Sequence, residues 1–102
     1  MSSLSFVVES EHHILLKGEM TFSTAREALR DSTNYFGNHG DLVVDLGGVR
    51  RVDSAGLALL IEWLRQMKRD QRVVRFLNVP YKLEGLAQVS GVDGILNEFS
   101  GT

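Results

Sequence analysis

Asp53 and Ser54 stand where the stretch following a short apolar run, Leu42-Val43-Val44-Asp45-Leu46, meets a segment with helical spacing. A hydroxyl at such a helix start lies beside unsatisfied backbone N–H groups and the positive end of the helix dipole, both of which favour an anion. The chemistry this offers is acceptance of a phosphoryl group, which adds roughly −1.5 to −2 charges and three acceptor oxygens. Either residue also suits an N-cap, worth roughly 0.5–2 kcal/mol, and capping does not exclude a switch. Asp45 and Asp53 could meet across the intervening residues, but no nucleophile–base–orienter set accompanies them, and turn and capping duty is the simpler assignment.

Other chemistries find little support. The chain has no cysteine, which excludes disulfides, thiolate catalysis and Cys-based metal sites. His12, His13 and His39 fall in turns and share no metal-ligand spacing. Gly47-Gly48 is not followed by the Lys-Ser/Thr of a phosphate-binding loop, and no Gly-x-Gly-x-x-Gly occurs. Glu19 is a single carboxylate without a partner base, and Arg50-Arg51 reads as a solvated pair or a contact for acidic groups. The expectation is a non-enzyme with no cofactor and no metal.

These residues need elements to position them. Leu4-Ser5-Phe6-Val7-Val8-Glu9 and His13-Ile14-Leu15-Leu16-Lys17, joined by Ser10-Glu11-His12, read as an antiparallel hairpin. Phe22, Ala25, Leu29 and Phe36 recur at helical spacing, with Ala28 and Tyr35 on the same face. Ser23 or Thr24 can cap that helix, and Glu27 completes a capping box with Thr24. The run 41–46 reads as a strand buried on both faces, and 47–53 as a loop. Leu57, Leu60, Ile61, Leu64 and Met67 mark a second helix with basic residues near its end. Arg72–Leu77 is a further strand; Pro80 suits the first turn of a third helix carrying Leu83, Leu86 and Ala87. Gly91 and Val92 suit a Schellman stop, and Ile95, Leu96 and Phe99 mark a weak last strand or docked tail. The order β-β-α-β-α-β-α-(β) predicts an α/β fold, with a mixed, mostly parallel sheet of four to five strands covered by helices.

At 102 residues the chain is expected to form one domain, residues 1–102. Eleven Lys+Arg against thirteen Asp+Glu leave a net charge of −2, without the basic excess of nucleic-acid binders. No secretory signal opens the sequence and no apolar stretch approaches the roughly 20 residues that span a bilayer, so a cytoplasmic location is expected.

Gly18-Glu19-Met20, Leu42-Val43-Val44-Asp45-Leu46 and Val52-Asp53-Ser54-Ala55-Gly56-Leu57 resemble, in order and spacing, the STAS domain family of bacterial anti-sigma factor antagonists. In phospho-regulated members the serine after that Asp is the kinase target, which corresponds to Ser54. Ala58-Leu59-Leu60-Ile61-Glu62-Trp63-Leu64, Phe76-Leu77-Asn78-Val79-Pro80 and Leu86-Ala87-Gln88-Val89-Ser90-Gly91-Val92 most resemble the MlaB branch, the STAS subunits of bacterial phospholipid ABC transporters. Thr21 stands where antagonists carry an acidic residue. The resemblance implies a non-catalytic cytoplasmic subunit that binds and supports the ABC transporter ATPase subunit, within a complex with permease and substrate-binding subunits. It would thereby help maintain outer-membrane lipid asymmetry. An anti-sigma factor antagonist switched at Ser54 is the alternative, and a small-ligand-binding STAS domain a third. On the second helix, Leu59 and Trp63 extend the apolar arc toward Glu62 and Gln66, where Trp63 suits either an interface anchor or packing against a neighbouring helix. The partner-binding surface is therefore expected around Asp53, Ser54, Ala55, Leu59, Glu62, Trp63 and Gln66.

Overall fold

A computed structural model describes residues 3–92 and residue 94. The element order is β1 (Leu4–Ser10), β2 (His13–Met20), α1 (Ala25–Ser32), β3 (Leu42–Val52), α2 (Ser54–Arg69), β4 (Val74–Leu77) and α3 (Tyr81–Ser90). The four strands form one sheet in the order β1-β2-β3-β4, with β1 antiparallel to β2 and the other pairs parallel. This is the mixed, mostly parallel α/β sheet with an N-terminal hairpin that the residue pattern predicts. The expected last strand at 95–99 lies outside the described residues.

From β2 to β4 the strand order advances in one direction. Right-handed crossovers along such a path place successive helices on the same face of the sheet. The burial pattern agrees: Ile14, Leu16, Leu42, Val44, Leu46, Val74 and Phe76 are buried on that face. On the other, Leu15, Val43, Asp45 and Leu77 are half-buried and Arg75 is exposed. The reading of β3 as buried on both faces is therefore corrected. A continuous apolar run is buried on both faces where both faces are covered, whereas here the one-way strand order keeps α1 and α2 on one face.

The stretch 47–53, expected as a loop, is also corrected: β3 continues to Val52 and pairs with Lys17–Met20 of β2. Register shifts between Leu15 and Lys17 and between Gly18 and Glu19 accommodate the extra residues. One is pinned by Asp45, whose Oδ1 accepts from Gly47 N at 2.8 Å and Asn78 Nδ2 at 2.9 Å. β4 begins at Val74 rather than Arg72.

Helix α1 is shorter than its apolar spacing suggests. Phe22 precedes it and is 86% exposed. The expected capping box gives way to a tighter turn. Thr24 Oγ1 donates to Glu19 O (2.8 Å) and accepts from Thr21 N (3.0 Å), so it makes no cap bond to the helix. Pro80 is the N-cap of α3 rather than its first residue. The C-terminal stop forms as expected: Gly91 has φ 75°, Gly91 N bonds Gln88 O and Val92 N bonds Ala87 O, the two bonds of a Schellman motif.

A buried guanidinium supports the α1–β3 connection. After α2, Gln71 adopts φ 58°, turning the chain so that Arg72 points under residues 36–40. Its donors reach Phe36 O and Gly40 O at 2.7 Å, Gly37 O at 3.1 Å and His39 O at 3.3 Å.

Candidate functional site

The β3–α2 junction is built by one carboxylate. Asp53 caps α2 with Oδ1 accepting from Ala55 N at 2.8 Å, while Oδ2 accepts from Phe22 N at 3.0 Å. The same side chain thus starts α2 and holds the β2–α1 loop beside it. Packing at this end is close, since a Cβ on Gly56 would lie 2.6 Å from Met20 O, a backbone atom. That contact explains glycine two residues after Ser54: the first turn of α2 rests directly on the end of β2. Ser54, the first residue of α2, is exposed.

Between α1 and α2 runs an open groove of about 940 Å³. Phe22, Ala25, Arg26 and Leu29 form one wall; Ala55, Ala58, Leu59 and Glu62 form the other. On α2 the positions 55, 58, 59 and 62 follow helical spacing, so small side chains open the space and Leu59 supplies an apolar floor. Leu59 is itself buried, so it offers the groove only its edge. Ser54 lies one turn before Ala58 on the same side of the helix. Glu62 receives a bidentate pair from Arg65, with Nε at 3.0 Å and Nη2 at 2.9 Å, and Gln66 Nε2 donates to it at 3.3 Å. The hydrogen bond from Arg65 is the chief cause holding the Glu62 carboxyl below its ordinary value, so it stays ionised at the groove's rim.

Leu59, expected on the exposed surface, is instead buried beneath the groove, while Asp53, Ser54, Ala55, Glu62 and Gln66 of that surface lie at or near it. Trp63 does not. It is fully buried, and its Nε1 donates to Ser32 Oγ at 3.0 Å. Phe36 and Phe6 meet its ring edge-on at centroid distances of 5.1 and 6.2 Å, and Phe6 also stacks on Tyr35 at 4.8 Å. Its placement as an exposed anchor is corrected: α1 and β1 close over that side of α2. The groove residues missed from sequence are Phe22, Ala25, Arg26, Leu29 and Ala58. A signal for Ala58 exists in its spacing from Ala55 and Glu62. None existed for Phe22, whose register fits a helix face as well as a loop.

Among the described residues, no group of three or more His, Asp or Glu is placed to hold a metal ion. No described helix is long and apolar enough to cross a membrane.

A family model described as "Mlab, STAS domain" matches residues 7–97. The chain belongs to the STAS domain family, in its MlaB-like branch. Solved structures share the fold at low identity. The unphosphorylated anti-sigma factor antagonist SpoIIAA matches with TM-score 0.61 and 11% identity, over 83% of this chain and 81% of that one. A sulfate transporter family protein from Wolinella succinogenes matches with TM-score 0.64 and 17% identity, over 90% and 76%. Among curated protein sequences none matches the chain significantly. For this STAS domain, the Asp53-Ser54-Ala55-Gly56 element is the capped, closely packed start of α2 described above, with its hydroxyl in solvent.

Proposed function

We propose that this STAS domain is a non-catalytic subunit that docks on the ATPase of an MlaB-type phospholipid ABC transporter. It would sit in the cytoplasm, held at the inner membrane through that ATPase. By supporting the ATPase it would help keep the outer membrane's lipids asymmetric. The observation that carries this reading is the α1–α2 groove: an apolar floor, an exposed aromatic at Phe22 and charged rims at Arg26 and Glu62, opening beside Ser54. Apolar centres with polar rims are the anatomy of protein–protein contacts. The MlaB-like family match makes a transporter ATPase the partner of choice. The site offers no paired base and nucleophile, which supports binding rather than catalysis.

Ala58→Arg tests it. Ala58 is exposed on α2 and arginine is a good helix former, so the fold should be retained. A guanidinium filling the groove should weaken binding of the purified ATPase by roughly 30-fold or more in calorimetry, about 2 kcal/mol. Undiminished affinity would remove the groove from the interface.

The exposed Ser54 hydroxyl favours a second reading, an anti-sigma factor antagonist whose partner is repelled by phosphate. Thr21 speaks against it, being buried and hydrogen-bonded to Thr24 where antagonists carry an acidic group. Intact mass of the protein from its native host, with fragment masses to locate the site, separates the two: a fraction phosphorylated at Ser54 supports the antagonist.

A further inference from the structure

At the end of the domain where the parallel strands stop, two hollows of about 230 and 240 Å³ adjoin one another. They share Arg51 and Val52 from the end of β3 and Lys82 from the first turn of α3. Arg50 lines the second. Among the described residues none of these three cations forms an ion pair or side-chain hydrogen bond. Glu19 is the register partner of Arg51 across β2 and β3, yet the two side chains do not pair. Asp53, the other carboxylate here, has both oxygens committed to backbone N–H groups. The result is three unpaired cations gathered at one end of a chain whose net charge is −2. Tyr81, 92% exposed, precedes Lys82, and Phe22 stands next to Ser23 of the first hollow.

We infer that the partner presents an acidic segment that enters the recess between the end of β3 and the start of α3, pairing with Arg51 and Lys82. This rests on the ATPase-docking reading and extends it from the α1–α2 groove past Ser23, which lines both the groove and the first hollow, to α3. Charge complementarity selects the occupant: unpaired guanidinium and ammonium groups call for carboxylates, and Arg51 offers a fork that a carboxylate meets bidentately. Exposed Tyr81 beside the cations suits the aromatic-plus-Arg composition of interface anchors. A flat lipid surface fits less well, because Arg51 and Lys82 line a recess that a projecting segment can enter and a planar surface cannot.

The test is calorimetric binding of the purified ATPase subunit across a salt series. The double variant Arg51→Glu/Lys82→Glu is compared with wild type, with Ala58→Arg, and with Arg75→Glu on the opposite sheet face. Both reversed residues are exposed, so thermal melting should stay near wild type. Affinity of the double variant is expected to fall roughly tenfold or more with a flattened salt dependence, while Arg75→Glu stays within about twofold. Wild-type affinity and salt slope in the double variant, with Ala58→Arg still defective, would overturn the acidic-segment inference and leave groove docking standing. No ATPase binding by the wild type would overturn both. Loss of binding only to phosphatidylglycerol vesicles, with ATPase affinity intact, would assign the recess to a membrane and overturn it too.

Discussion

Replacing Trp63 with alanine is expected to lower the unfolding free energy by about 3–5 kcal/mol, the range for deleting a large buried aromatic. Two losses combine. The ring leaves a cavity among Phe6, Phe36 and the α2 core, and edge-on aromatic contacts each contribute about 0.5–1.5 kcal/mol beyond area. Ser32 Oγ also loses its indole donor, although it keeps its own bond to Leu29 O at 2.7 Å. In a domain of this size such a loss is a large share of a total near 5–15 kcal/mol. Urea denaturation measures it directly. A change below about 1 kcal/mol would mean that Trp63 is not packed as described.

Arg72→Met should be the next largest effect, about 2–3 kcal/mol. Methionine keeps much of the apolar stem and removes every donor. The Phe36, Gly37, His39 and Gly40 carbonyls then lose a charged partner, and hydrogen bonds to charged groups contribute about 1.5–3 kcal/mol each. The total stays below the sum because Gly37, His39 and Gly40 are exposed and water can replace the guanidinium there. Arg72→Lys should recover only part of the loss, since an ammonium cannot span four acceptors as a planar fork does. Equal stability of wild type and Arg72→Met in urea would contradict this role.

These two residues also show what the amino-acid sequence discloses and what it conceals. A cap at Asp53 or Ser54, the span of α2 and the Gly91 stop follow from local chemistry and are legible as written, with the structure choosing Asp53. So is the mixed parallel topology, because alternating elements leave few alternatives. Trp63 was ambiguous because an arc on a helix says which face is apolar, not how many neighbours close over its edge. Here Phe6 and Ser32 come from β1 and α1, more than thirty positions upstream of the ring in the case of Ser32. Arg72 reads as a surface cation at a strand start, and only the αL turn at Gln71 directs it inward. Gly47–Val52 looked like a loop because bulges break the period-two pattern that announces a strand. The groove was half legible: its α2 wall lies within the motif, while the α1 wall depends on where the β2–α1 loop leaves Phe22.

Hydrogen exchange of this STAS domain with and without the purified ATPase tests the central claim most directly. Docking on the α1–α2 groove predicts slowed exchange in residues 22–29 and 54–62, with the outer sheet face at 13–17 and 73–77 unchanged. Protection confined to that outer face, with exchange at 22–29 and 54–62 unaltered in the complex, would contradict the account.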